Sequence, residues 1–404
     1  MNQSSPVVLR LKPKGKHRVL KGHPWVFSNQ LIEIPAELEP GSEVLVLDGQ
    51  GKAIGRGMGH PSTLITARIF ERNPEAVLDD DWLEGRLRQA LELRNGVCPE
   101  RSSFRWVHGD ADGLPGLIID RYGSGDGPSR VVMSANTAGM ENWKARIEVV
   151  IAERFGVEAG LWKCDGRGRQ LEGLVSEVRL GWGPQGEGPG SLWLSQDDGI
   201  KLRFDPWAGQ KTGLFLDMWE NRARMGPALG QGKVLDLYSY IGQWGLVAAR
   251  CGAHQVTCVD RSERAVALIQ KNAEINGLQK QLRGECAAVE EFLRNIPDRS
   301  HDAVICDPPS FIRSKKHVSA GLRAYRTLFA HALRKVRDDG FAVLASCSHH
   351  LFEERFARVV EEAGRWADVK LSVMIRGDQS PCHPVPLSFP EARYLKCWLV
   401  RVSR

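Results

Sequence analysis

From residue 234 onward the chain carries four short, nearly continuous apolar runs: Val234-Leu-Asp-Leu237, Val256-Thr-Cys-Val-Asp260, Ala303-Val-Ile-Cys306 and Phe341-Ala-Val-Leu-Ala345. Runs of this length without polar alternation suit strands buried on both faces of a parallel sheet. Helical patterns lie between them. The clearest starts at Ser262, an N-cap residue, places Val266, Ile269 and Ala273 on one face, and stops at Gly277. Alternating βα units imply a doubly wound α/β domain, and ligands of such domains bind beyond the carboxyl ends of the strands. That rule selects residues 236–242, 260–262, 306–311 and 346–350 as the places to look for chemistry.

The rest of the chain follows other rhythms. Residues 1–78 read as a small β-rich unit, with β-prone segments at 43–48 and 64–69 separated by Gly-rich turns. Asp79-Asp-Asp81 opens a helix with Leu83, Leu87 and Leu91 at spacing four, and Gly96 is expected to close it. Residues 97–180 mix strands near 116–120 and 130–133 with a helix around 140–155. The stretches 123–129 and 181–191 are rich in Gly and Pro and read as loops. Three domains are expected, at 1–78, 79–195 and 196–404, in agreement with a length of 404 residues.

Charge and cysteines narrow the partners. There are 55 Lys+Arg against 49 Asp+Glu, a formal charge of +6, which favours a polyanionic partner. The nine cysteines, at 98, 164, 251, 258, 286, 306, 347, 382 and 397, contain no C-x-x-C pair. This argues against a disulfide framework and a zinc site of the usual spacing, and no metal is expected. The first twenty residues alternate apolar and basic, and no uncharged apolar run reaches 18 residues. A secretory signal and a membrane span are therefore not expected, and the thiols read as cytoplasmic.

Five constellations can carry chemistry. The first is Val234-Leu-Asp-Leu-Tyr-Ser-Tyr-Ile-Gly242-Gln-Trp-Gly245, with Asp260 following 24 residues after Asp236. A strand end, a small-residue turn and a helix start let backbone approach a nucleoside, and an acid ending the next strand can accept from ribose hydroxyls. No G-x-G-x-x-G or P-loop is present, so pyrophosphate binding and a nicotinamide oxidoreductase are poorly supported. The second is Cys306-Asp-Pro-Pro-Ser-Phe311, where two prolines hold Asp307 at a strand end before a rigid backbone. The third, Ser346-Cys-Ser-His-His350, ends the next strand and sets Cys347 at the same sheet edge. A thiolate nucleophile needs a partly exposed, electropositive setting, and His349 or His350 would supply charge. The other eight cysteines read as small buried hydrophobes. The fourth is the Gly-flanked segment 209–222, a lid or second wall beside the nucleoside turn. The fifth is the acid-free stretch 1–32, with Arg10, Lys12, Lys14, Lys16, Arg18 and Lys21 beside Trp25 and Phe27. Cations for phosphates next to aromatics for stacking are the ingredients of RNA binding.

In order along the chain, these motifs resemble the bacterial large-subunit ribosomal RNA cytosine-C5 methyltransferases that carry an N-terminal PUA domain. The resemblance is borne by Lys21-Gly-His-Pro-Trp-Val-Phe-Ser-Asn29, Val107-His-Gly-Asp-Ala-Asp-Gly113, the 210–222 segment, Asp236-Leu-Tyr-Ser-Tyr-Ile-Gly242, Val259-Asp-Arg-Ser262, Asn272-x-x-x-Asn276-Gly, Asp307-Pro-Pro-Ser-Phe311, Ser346-Cys-Ser348 and Phe389-Pro-Glu-Ala-Arg-Tyr-Leu-Lys396. It implies a Rossmann-like methyltransferase domain after a small β-barrel PUA-like domain and a central α+β domain. It also implies S-adenosylmethionine as cofactor, with Gln210, Lys211, Thr212, Asp217, Asn221, Arg222, Asp236, Tyr238, Ser239, Tyr240, Gly242, Asp260, Arg261, Ser262, Asp307 and Pro308 around it. Cys347 would attack C6 of a cytosine and Asp307 would hold the base edge. Lys12, Lys14, Lys16, Arg18, Lys21, Trp25 and Phe27 would contact RNA, expected to be 23S ribosomal RNA; a homodimer is compatible with this. Where the family has an acid near the third strand end, Ala287-Ala-Val289 stands here, and Gln243-Trp244 replaces the usual Gly-Phe. Two other functions compete: a methyltransferase acting on a base nitrogen without a covalent step, and a non-catalytic module that binds the cofactor and RNA.

Overall fold

The computed structural model describes residues 5–123, 127–312 and 314–404. Part of the expected loop at 123–129, residues 124–126, thus lies outside the described residues. Contacts divide the chain into two units. The first comprises Met1–Trp193, Asp205–Leu214 and Pro381–Ala392, and the second Leu194–Phe204, Phe215–Ser380 and Arg393–Arg404.

In the first unit, β1 (Val7–Arg10), β2 (Trp25–Phe27), β3 (Glu43–Leu47), β4 (Ala53–Gly59) and β5 (Ile65–Glu71) form a sheet of order β1-β3-β4-β5-β2. Strand β3 shows why these residues pair as they do. Its alternation buries Val44 and Val46 completely, on a core shared with Leu9, Leu11, Val26 and Ile69. Helix α1 (Asp80–Val97) begins where the Asp79 carboxylate accepts the Trp82 amide at 2.9 Å, and buries Leu83, Leu87, Ala90 and Arg94. It runs on through Gly96, contrary to the sequence reading. The Arg94 guanidinium pairs with Asp112 and donates to the Arg105 carbonyl at 2.9 Å, which anchors the last turn.

A second sheet of this unit has the order β10-β9-β8-β7-β6, from β6 (Phe104–His108), β7 (Leu117–Tyr122), β8 (Arg130–Ala135), β9 (Ala159–Cys164) and β10 (Glu177–Trp182), with α2 (Ala138–Asn142) and α3 (Lys144–Arg154) inserted before β9. Strand β10 extends into the stretch expected to be loop. The Trp182 ring lies over Gly160, where a Cβ would come within 2.2 Å of it. The later segments of the unit are held by their backbones. Lys163 donates to the carbonyls of Pro206, Trp207 and Gly209, Tyr122 to that of Thr212 at 3.0 Å, and Arg94 to that of Cys382 at 2.9 Å.

A hairpin of β11 (Trp193–Asp197) and β12 (Ile200–Phe204) precedes α4 (Trp219–Leu229). The second unit is then built from β13 (Lys233–Leu237), α5 (Gln243–Arg250), β14 (Gln255–Asp260), α6 (Glu263–Ile275), β15 (Leu282–Cys286), α7 (Val289–Asn295), β16 (His301–Cys306), α8 (Val318–Arg334), β17 (Val336–Ser346), α9 (Glu353–Trp366), β18 (Lys370–Gly377) and β19 (Lys396–Ser403). The sheet order is β15-β14-β13-β16-β17-β19-β18, parallel through β17, with β19 antiparallel to both its neighbours. Ser262 caps α6 as its sequence demanded, accepting the Ala265 amide at 3.3 Å. Asn272 and Asn276 on α6 take up the edge of β12: their side chains accept from the amides of Arg203 and Lys201 and donate back to the same residues' carbonyls.

The core on one face of this sheet packs Leu235, Val304 and Leu344 with Phe329 of α8 and Phe356 of α9. The Phe356 ring meets those of Phe329 and Trp398 edge-on at 6.1 and 5.2 Å. Phe356→Ala is expected to destabilise the protein by about 3–5 kcal/mol through lost burial and the cavity left behind. Urea unfolding should show a lower midpoint with an unchanged slope.

Candidate active site

The strand order reverses at β13, which pairs with β14 on one edge and β16 on the other. A crevice outside the carboxyl ends of the strands is the ligand site of such sheets. Leu237 lies opposite Val259 and Cys306, and Cys306 opposite Leu344, so Tyr238, Asp260, Asp307 and Ser346 all fall at one edge.

The turn after β13 is bent by left-handed backbone at Tyr238 (φ 58°), Tyr240 (φ 51°) and Gly242 (φ 84°). For two tyrosines this is a strained geometry that surrounding bonds must hold. Asp260 supplies one: its carboxylate accepts the Tyr240 amide at 3.0 Å and the Ser262 amide at 2.9 Å. Ser239 donates its amide to the Val259 carbonyl at 3.1 Å, and Tyr238 its hydroxyl to Glu290 at 2.8 Å. Arg261 is exposed.

Beneath the turn, buried Asp236 accepts the Gly245 amide at 2.9 Å. A side chain at 245 could not be accommodated, since its Cβ would fall 2.3 Å from the Cys258 sulfur. The other Asp236 oxygen and the Ser239 hydroxyl are buried without a hydrogen-bond partner among the described residues. Burial, together with the negative charge of Asp307, pushes the Asp236 carboxyl up to about 8.

The segment leading into α4 is fixed by side-chain bonds. Tyr394 donates to the Asp217 carboxylate at 2.6 Å, Asn221 to the Asp378 carbonyl at 2.9 Å, and Arg222 to the Phe215 carbonyl at 2.9 Å. Gln210, Lys211 and Thr212 belong to the first unit, where the Thr212 hydroxyl bonds to Asp120.

At the next strand ends, Pro308 is buried and Asp307 and Cys347 are half-buried. Ser348 is buried; its hydroxyl bonds to those of Ser310 at 2.8 Å and Tyr325 at 2.9 Å, and its amide donates to the Ser346 hydroxyl at 3.2 Å. Burial and the adjacent Cys347 push the Tyr325 phenol up to about 12. Lys396, paired with Ser346 across the β17–β19 ladder, donates its ammonium to the carbonyls of Ser348 at 2.8 Å and Tyr394 at 2.7 Å. Burial lowers it to about 8, against the opposing pull of Cys347. Tyr325 and Lys396 carried no assigned role in the sequence reading. A lone lysine at the head of the apolar run Cys397-Trp-Leu-Val400 was the available signal for the second.

The expectation that the other eight cysteines are buried is corrected at Cys251 and Cys286, which are exposed. Cys251 caps the end of α5, and Cys286 is the last residue of β15, the edge strand of the sheet. Of the basic residues near the start of the first unit, Lys12, Lys14, Lys16, Arg18 and Lys21 are exposed, and Arg18 pairs with Glu391 at 2.6 Å. Trp25 and Phe27 are half-buried; the Trp25 indole donates to Asp110 at 2.9 Å and packs on Phe389 at 4.8 Å. No helix among the described residues is long and apolar enough to cross a membrane.

A seven-stranded sheet with one antiparallel strand inserted, and a nucleoside-type turn at its switch point, define an S-adenosylmethionine-dependent methyltransferase fold. Residues 9–72 match the family described as PUA-like domain, and residues 212–369 the family described as Methyltransferase small domain. The chain is 31% identical to a Shewanella amazonensis protein named Ribosomal RNA large subunit methyltransferase I, over 98% of this chain and 99% of that one. It is also 31% identical to the Klebsiella pneumoniae protein of the same name, over 96% and 97%. A solved putative methyltransferase complexed with SAH superposes with a TM-score of 0.80 at 19% identity, covering 98% of this chain and 100% of that chain. A putative SAM-dependent methyltransferase from Streptococcus mutans gives 0.79 at 18% over the same shares. The chain belongs to the ribosomal RNA large subunit methyltransferase I family.

The raised Asp236 carboxyl sets a pH dependence. The unfolded chain ionises it near the ordinary 3.8, whereas the folded protein does so only near 8. Its contribution to stability is therefore present in acid and is lost as pH rises across that window. Asp236→Asn should remove the loss, so unfolding measured without ligand should show wild type falling relative to the variant between about pH 4 and pH 8.

Proposed function

We propose that this methyltransferase modifies C5 of a cytosine in large-subunit ribosomal RNA, in the cytoplasm, through a covalent bond between Cys347 and C6 of the base. The observation that carries the reading is the placement of a half-buried cysteine at the carboxyl end of β17, beside Asp307 at the end of β16. C5 of cytosine is a weak nucleophile. Addition of the Cys347 thiolate at C6 forms an S–C6 bond and moves an electron pair onto C5, which can then accept a methyl group. Loss of the C5 proton to a base and breakage of the S–C6 bond return the thiolate. Asp307 is read as holding the amino and N3 edge of the base, favouring protonation at N3 as charge builds there. The base reaches this site single-stranded or flipped from its stack.

When bound, S-adenosylmethionine supplies an electrophilic methyl group on its sulfonium. The residues present suit it. The unpartnered Asp236 oxygen and Ser239 hydroxyl are buried acceptors suited to an ammonium or hydroxyl donor. Asp260 and the Arg261-Ser262 corner are read as the ribose site, and the 238–242 turn and Pro308 as its surroundings. Asp217, Asn221 and Arg222 are assigned to the same cofactor. With Ala287-Ala288 in place of an acid, adenine recognition is left to backbone and apolar contacts. We read the chain as a PUA-like domain at 1–78, a central domain at 79–195 and a methyltransferase domain at 196–404, with residues 205–214 and 381–392 of the last packing in the first unit. Lys12, Lys14, Lys16, Arg18 and Lys21 are read as phosphate contacts beside Trp25 and Phe27.

RNA containing 5-fluorocytidine should form a denaturation-resistant adduct with the wild type and none with Cys347→Ala, because fluorine blocks the proton loss that frees the cysteine. An active preparation that methylates RNA yet traps no adduct would overturn the covalent reading in favour of transfer to a base nitrogen. Replacing Lys14 and Lys16 by alanine should reduce the slope of log affinity against log salt by about 1 to 2, whatever the RNA sequence.

A further inference from the structure

Lys396 is a buried cation whose nearby carboxylates are engaged elsewhere. It is only 4% exposed, and its ammonium rests on two main-chain carbonyls, Ser348 and Tyr394, without an ion pair to a carboxylate among the described residues. The charged groups that act on it are Cys347, Glu353, Arg393 and Asp378. Arg393 bonds to Asp378 at 2.7 Å and lies 3.7 Å from Glu353, which also accepts from the Trp398 indole at 2.9 Å. A buried ammonium without a counter-charge is costly, and proteins retain such groups where an anion completes them. Cys347 is the remaining group of the set able to become that anion. Ser346 faces Lys396 across the ladder and Ser348 accepts its ammonium, so the residue between them is bracketed by the lysine. On the β16 side of the turn stands the Asp307 carboxylate, whose charge opposes a thiolate, and Tyr325, a neutral phenol, bonds to Ser348.

We propose that the Lys396 ammonium is the counter-ion of the Cys347 thiolate, and that its bonds to the Ser348 and Tyr394 carbonyls hold the cysteine turn in place. The proposal rests on Cys347 being the attacking atom. The thiol proton leaves to solvent, Lys396 keeps its own, and the resting pair is neutral overall. Lys396 is thus a positioning residue, acting through the charge and backbone of its neighbours. The mutual influence of the two groups agrees with this: a negative charge on Cys347 opposes the lowering of Lys396 by burial. Of the two expected sources of positive charge, His349 is exposed and packs against the Tyr394 ring at 5.2 Å, and His350 is half-buried.

The test is alkylation of the full-length protein by iodoacetamide across pH, with each cysteine followed by peptide mass spectrometry. Cys347 in the wild type should react with an inflection below that of the exposed Cys286 in the same sample. Lys396→Gln keeps a donor for the carbonyls and removes the charge, so the Cys347 inflection should rise by about one unit or more, slowing alkylation at pH 7 about tenfold. Lys396→Arg should restore most of the shift. A purely structural lysine would lower the melting temperature of the glutamine variant and leave the inflection where it was, which would overturn the proposal. Should the glutamine variant not fold, a wild-type Cys347 inflection no lower than that of Cys286 would overturn it equally. The two readings fail separately: loss of the 5-fluorocytidine adduct removes the nucleophile, whereas an adduct with an unmoved inflection removes only the counter-ion.

Discussion

Strand β13 is hydrogen-bonded along both edges and buried along nearly its whole length, and the site residues of the second unit take their positions from it. Its parallel pairing with β14 and β16 forces three strands to end at the same edge. The strands β13, β14 and β16 feed α5, α6 and α8 in turn. Asp260, Asp307 and the 238–242 turn meet at that shared edge, where the strand order reverses. The strain in the turn is held by the Asp260 carboxylate, which ties two successive strand ends together through the Tyr240 and Ser262 amides.

The same edge carries an unusual charge distribution. Asp236 is buried near a second carboxylate, and Lys396 is buried three strands away, its ammonium on two main-chain carbonyls. Each is costly by itself, and each becomes intelligible if it meets an opposite charge during the reaction: a cationic cofactor for the acid, a thiolate for the lysine. Burial raises the value of both interactions, because little water remains to screen them.

Much of this was legible beforehand. The apolar runs, the N-cap at Ser262 and the Pro-Pro stop after Asp307 are local signals, and the strands and helix they announced are present. Boundaries shifted where tertiary contacts overrode local preference. Helix α1 continues past Gly96 because Arg94 is anchored, and β10 enters a Gly-rich stretch because Trp182 covers Gly160. The Asn272 and Asn276 pair was visible as a motif, but its work of zipping a hairpin edge to α6 was not, since β12 lies about 70 residues away in sequence.

Sequence alone announced four strands of the second unit, the helix capped by Ser262, and which acids, cysteine and prolines close those strands, because these follow from periodicity and from the fixed dihedrals of proline and glycine. It could not say that Lys396 is anchored on the turn that carries Cys347. That depended on β19 returning antiparallel between β17 and β18, which lays Lys396 against Ser346 from the far end of the chain. Nor could it say that one oxygen of Asp236 lacks a partner, or that residues 205–214 and 381–392 pack with the first unit. Partnering, burial and long-range pairing depend on where distant segments meet, and only the tertiary structure decides that.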